Sequence, residues 1–163
     1  MSAMQIDSPP DQAVLVMTRI LEAPRELVWV ALTTPEHVVE WYGGDGFTNP
    51  VCQMDVRPGG LWHHVMRSPD GHEFAIESVF VEVVEPERLV WKGAHDVAAR
   101  GGPPNAITEV TLQTVPGGTR WTLVSRFESV AERDRAAAMG FAHLITQGVE
   151  RMLASVRRLQ QKQ

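Results

Sequence analysis

The sequence predicts an α+β domain in which a curved antiparallel sheet of six to seven strands surrounds a long C-terminal α-helix, with two short helices after the first strand. Three observations carry this expectation. Turn chemistry recurs at residues 57–60, 68–71, 85–87 and 116–118, with runs of Val, Ile, Phe, Trp and Thr between, which is the spacing of consecutive hairpins. Near the C-terminus, Phe141, Leu144, Ile145, Val149, Met152, Val156 and Leu159 repeat every three or four residues, while Glu150, Arg151, Arg157 and Arg158 take the other side. A helix with one apolar stripe must bury it, and the covered face of the sheet is the surface on offer.

Residues 1–12 are polar, contain Pro9 and Pro10, and read as a disordered or loosely packed N-terminus; residues 13–160 read as one domain. Residues 13–21 are rich in apolar and β-branched side chains and stop short of Pro24, as a strand would. Pro24 suits a helix start, and Leu27, Val28 and Ala31 follow at helical spacing. Thr33, Thr34 and Pro35 end that helix and open a second, which reaches about Trp41 before Gly43, Gly44 and Gly46 close it.

Alternation then takes over. Trp62, His64 and Met66 share one strand face, and so do Phe74, Ile76, Ser78 and Phe80, with Glu82 breaking the pattern as a bulge would. Residues 89–92, 107–115 and 119–127 continue the meander, and residues 96–106 form a long loop, read either as a surface insertion or as a flap over a cavity. Ser129 and Glu132 have capping-box spacing, so the last helix is expected to begin there.

Composition narrows the function. The chain has 163 residues, 44% of them hydrophobic, enough for one core. A net charge of −5 argues against a nucleic-acid binder. No window approaches the ~18 apolar residues of a membrane span, and residues 1–11 lack the features of a signal peptide, so a cytoplasmic location is expected. Cys52 is the only cysteine and stands in a strand-like context, without the setting of an activated thiol. None of the six histidines has metal-ligand spacing, and neither a nucleophile elbow nor a nucleotide-binding glycine motif is present, so no metal or cofactor is expected.

Several segments together resemble a known family. They are Ala23-Pro-Arg-Glu-Leu-Val-Trp29 leading into Ala31-Leu-Thr-Thr-Pro-Glu36, then Glu40-Trp-Tyr-Gly43, Met54-Asp-Val-Arg-Pro-Gly-Gly-Leu-Trp62, Pro69-Asp-Gly71 and Pro86-Glu-Arg-Leu-Val90. The chain resembles the activator-of-heat-shock-protein-90-ATPase-like branch of the START and birch-pollen-allergen-like superfamily over roughly residues 17–156. Gly140, Phe141 and Leu144 look like that family's C-terminal helix, with Phe where Trp is commoner. The resemblance implies the helix-grip fold and a deep cavity between sheet and helix.

Aromatic side chains supply large apolar surfaces of defined shape, so the expected cavity residues are Trp41, Tyr42, Trp62, Phe74, Phe80, Trp91, Trp121 and Phe141. Met66, Ile76 and Ile145 join them by face, and His64, Ser78 and His143 as polar members. His64 reads as a group that orients a ligand, or as a general base with His143 or Glu73 as partner. Asp55 and Arg57 read as a local ion pair beside a Pro-Gly-Gly turn. Three functions stay open: binding of an apolar or aromatic small molecule, regulation of a chaperone ATPase through protein contact, and a cyclase, dehydratase or hydrolase using the same cavity. A homodimer is a further possible partnership.

Overall fold

The computed structural model describes residues 3–94 and 105–162, so most of the loop expected at 96–106 lies outside the described residues. The elements run β1 (Gln5–Asp7), β2 (Val14–Leu21), α1 (Arg25–Thr33), α2 (Pro35–Trp41), β3 (Thr48–Met54), β4 (Leu61–Arg67), β5 (Glu73–Val84), β6 (Arg88–Gly93), β7 (Ala106–Val115), β8 (Gly118–Phe127), α3 (Val130–Ala138) and α4 (Phe141–Gln161). All eight strands form one antiparallel sheet in the order β1-β2-β8-β7-β6-β5-β4-β3, with α4 on its inner face: a helix-grip fold.

The eighth strand is β1, in the segment expected to be loose. Gln5, Ile6 and Asp7 pair with Thr18, Met17 and Val16 yet are all exposed, so backbone pairing alone makes the strand and no apolar alternation announces it. In β5 the register slips between Phe80 and Glu82, where the broken alternation predicts a bulge. β2 alternates cleanly, turning Leu15, Met17, Arg19 and Leu21 inward.

The helix expected to run unbroken from Ser129 is two helices. Gly140 adopts φ +82°, a conformation costly for any residue with a Cβ, and it ends α3 and redirects the chain into α4. Ser129 Oγ accepts the Glu132 N–H at 3.1 Å as a cap should, but the Glu132 carboxylate accepts from Arg135 instead of turning back.

α4 is tightly packed only from Gly148 onward: its buried residues are Gly148, Val149, Met152, Leu153, Ser155 and Val156. At Gly148 the helix passes so close to α2 that a Cβ would lie 3.2 Å from the Trp41 carbonyl oxygen and 3.3 Å from that of Gly43. Arg151 donates to the carbonyls of Gly44 and Glu40, and Ser155 and Arg158 both donate to the Glu40 carboxylate. On the opposite side, buried Arg19 of β2 pairs with Glu150.

The Asp55–Arg57 pair forms as expected, 2.8 Å apart on the surface beside the 57–60 turn. That turn also braces β5: Gly59 N–H donates to Phe80 O at 2.8 Å and Phe80 N–H to Gly60 O at 3.0 Å. A Cβ on Gly60 would stand 1.9 Å from the Asp55 carbonyl oxygen, whereas Gly71, at φ +92°, has open space around it. Gly60→Ala should therefore cost about 3 kcal/mol and Gly71→Ala about 1 kcal/mol in urea denaturation; equal losses would contradict this account of the turn.

Candidate functional site

Between the inner sheet face and the first half of α4 lies a cavity of about 400 Å³, a size suited to a small organic molecule. Trp41 and Tyr42 at the end of α2, Trp62 and Met66 of β4, Phe74 and Ile76 of β5, Trp91 of β6, Trp121 of β8 and Phe141 and Ile145 of α4 all line it. These are ten of the fourteen residues expected from the sequence. Phe74 and Met139 line the cavity yet are 43% and 48% exposed, which places the mouth between the start of β5 and the α3–α4 junction.

Trp62 organises the wall. Its ring stacks on Phe80 at 5.9 Å with planes 6° apart and meets Trp91 and Tyr42 edge-on, each at 5.5 Å. Phe80 is thus a wholly buried support under the indole and does not line the cavity, contrary to expectation. Ser78 is the cross-strand partner of Trp62; buried and short, it too falls outside the lining. His143 is exposed on α4 and also lies outside it.

His64 requires the largest correction. It is 1% exposed, outside the cavity, with its ring 4.3 Å from that of Tyr42. Asn49 Nδ2 donates to the carbonyls of Val39 and Tyr42, at 2.9 and 3.1 Å, which fixes Asn49 Oδ1 as an acceptor facing His64 Nε2 at 2.7 Å. Nε2 therefore carries the proton, and Nδ1 accepts from Trp62 Nε1 at 3.2 Å. Both nitrogens are engaged by the protein, so no lone pair is left for a ligand or a proton transfer. Burial, aided by His63, lowers its pKa to about 4. Neither proposed partner reaches it: Glu73 is tied to Arg67 on the surface, and His143 faces outward.

The other titratable groups near this wall are also held uncharged. Burial, with a smaller contribution from Cys52, pushes Tyr42 up to about 12; burial likewise pushes Cys52 up to about 11, against a hydrogen bond from Trp62 that lowers it. Of the remaining wall indoles, Trp41 donates to Ala31 O at 2.9 Å, while Trp121 Nε1 is buried without an acceptor. Thr108 of β7, which no sequence motif singles out, lines the cavity and is hydrogen-bonded to Ser125 of β8 at 2.9 Å. No motif singles out Phe47, Val110 and Leu123 either, although the alternation of β7 and β8 places the latter two on the inner face. No group of three or more metal-ligating side chains occurs among the described residues, and no helix among them is long and apolar enough to cross a membrane.

A family model described as Activator of Hsp90 ATPase homolog 1-like protein matches residues 22–160. The chain belongs to this family. A crystal structure from Nitrosomonas europaea is similar at 27% identity and a TM-score of 0.84, covering 94% of this chain and 99% of that one. One from Chromobacterium violaceum is 26% identical, with a TM-score of 0.73 and coverage of 88% and 96%. The solution structure of the AHSA1-like protein from Aeromonas hydrophila, 20% identical with a TM-score of 0.70 over 87% and 93% of the two chains, shares the fold. No curated protein sequence matches this member of the family.

The state of His64 has a consequence for stability. An imidazole with a folded pKa near 4 and an ordinary value of 6.5 binds its proton more readily in the unfolded chain, so its contribution is complete above pH 6.5 and is lost as pH falls toward 4. Urea denaturation should show a loss of roughly 3 kcal/mol across that window from this group. His64→Gln should flatten the dependence between pH 6.5 and 5; an unchanged slope would contradict the buried neutral imidazole.

Proposed function

We propose that this chain binds an uncharged small molecule, apolar and at least partly aromatic, in the cavity between the sheet and α4. The observation that carries the proposal is the composition of the wall. Among the described residues, eight aromatic side chains line about 400 Å³, no charged side chain does, and besides the tryptophans the lining residues with a polar side-chain group are Tyr42 and Thr108. Such a surface favours apolar matter through burial and rejects ions, whose desolvation it cannot repay.

The family's description supplies a second reading, regulation of a chaperone ATPase. A protein partner would need exposed apolar surface, and Leu61, Val81 and Ile107 provide some away from the cavity. Binding of a small molecule and contact with a partner would therefore use different parts of the chain. The enzymatic reading keeps the same cavity, but its base would have to be a group other than His64.

The neutral fluorophore N-phenyl-1-naphthylamine and its sulfonated analogue 1-anilinonaphthalene-8-sulfonate share one aromatic skeleton and differ in charge. The neutral compound should bind saturably at one per chain, with the sulfonate at least about tenfold weaker because its charge cannot be buried. Absence of saturable binding by the neutral compound, or equal affinity for both, would refute the proposal.

A further inference from the structure

Along the β7–β8 wall of the cavity, two hydrogen-bond donors have no matched acceptor among the described residues. Thr108 and Ser125 are cross-strand partners, 7% and 0% exposed, and their hydroxyls lie 2.9 Å apart. A hydroxyl carries one proton, so a single bond between the two uses one proton and leaves the other unmatched. Neither hydroxyl has another hydrogen bond among the described residues. If the free proton belonged to Ser125, it would be buried with no acceptor in reach. If Ser125 donates to Thr108 instead, the free proton is on Thr108, which borders the cavity, and an occupant can accept it. Four positions along the same face of β8, Trp121 Nε1 is a second buried donor without an acceptor among the described residues. Most buried polar groups in folded proteins are hydrogen-bonded, and of the four buried side-chain donors without a hydrogen-bond partner among the described residues only Trp121 Nε1 belongs to a cavity-lining residue, where an oxygen on the occupant would match it and Thr108.

Resting on the binding role proposed above, we infer that the occupant carries a neutral acceptor oxygen of the carbonyl class, positioned against Thr108, and that Thr108 decides between otherwise similar apolar molecules. A carboxylate would offer the oxygen but bring a charge that no lining side chain among the described residues balances. A hydrocarbon would fit the apolar wall but leave the Thr108 proton unmatched. A ketone, ester or lactone meets both conditions. Ser125, beside it on β8, is a positioning residue whose bond orients the Thr108 hydroxyl.

Benzophenone and diphenylmethane differ only in a carbonyl against a methylene, and calorimetric titration of both against the wild-type chain, Thr108→Val and Thr108→Ser tests the inference. Valine keeps the shape of threonine without the hydroxyl; serine keeps the hydroxyl. The ratio of ketone to hydrocarbon affinity should fall about fivefold in Thr108→Val, the size of one neutral hydrogen bond, and stay within about twofold of wild type in Thr108→Ser. Diphenylmethane binding serves as the internal check that each variant is folded with its cavity intact. A ratio unchanged in Thr108→Val, or lost equally in Thr108→Ser, overturns the role of Thr108 while leaving the apolar cavity standing. Binding of neither compound to the wild-type chain overturns both this inference and the function it rests on.

Discussion

Gly148 allows the backbone of α4 to lie against the carbonyls of Trp41 and Gly43, and the rest of the architecture depends on that approach. With no side chain at this point, the second half of α4 settles onto α2 and the sheet. The Arg151 bonds to two carbonyls, the contacts of Ser155 and Arg158 with Glu40, and the Arg19–Glu150 pair hold it there from both sides. The first half, from Phe141 through Ile145, follows the left-handed turn at Gly140 and meets the sheet through the Phe141 ring, which lies edge-on to Phe127 of β8 at 5.9 Å. A helix held over a curved sheet at both of these points leaves space between them. The cavity is that space, and the aromatic side chains facing it are too rigid to collapse and fill it.

Behind the wall, the polar groups serve the shape. Asn49 closes the end of α2, holds the His64 proton and, through His64, fixes the Trp62 indole on which the aromatic wall is built. A histidine in the middle of an aromatic wall invites a catalytic reading, but its two nitrogens are used in sequence, one as donor and one as acceptor. His64 thus serves rigidity, which suits a preformed cavity better than a proton-transfer site.

The fold was legible because its signals are local: alternation on β4 and β5, turn residues between strands, and a helical stripe at the C-terminus. The apolar wall was legible for the same reason, since strand periodicity assigns Trp62, Met66, Phe74 and Ile76 to one face and the helical stripe adds Phe141 and Ile145. Polar roles were not, because they depend on pairings across the sheet. Asn49 sits beside Pro50 on an edge strand and gives no sign of its bond to His64, fifteen residues on. Thr108 and Ser125 become a pair only through the β7–β8 register. Face alone could not separate Phe80 and Ser78 from the cavity, since both point inward and are covered by or set beside Trp62. His143 was within reach of the sequence: two residues beyond Phe141 it lies about 200° around the helix, off the apolar stripe. The break at Gly140 was equally visible as a glycine at the head of that stripe, and β1, held by backbone pairing alone, left no trace in its side chains.

The central claim is that the space under the first half of α4 is where a neutral apolar molecule binds. Methyl NMR of the isotopically labelled chain, titrated with diphenylmethane, tests it most directly. The account predicts saturable shifts centred on cavity-lining methyls such as those of Met66, Ile76, Val110, Leu123, Ile145 and Met152, with Leu61, Val81 and Ile107 on exposed surface unmoved. Shifts centred on those exposed residues, or no saturable shifts at all, would contradict it.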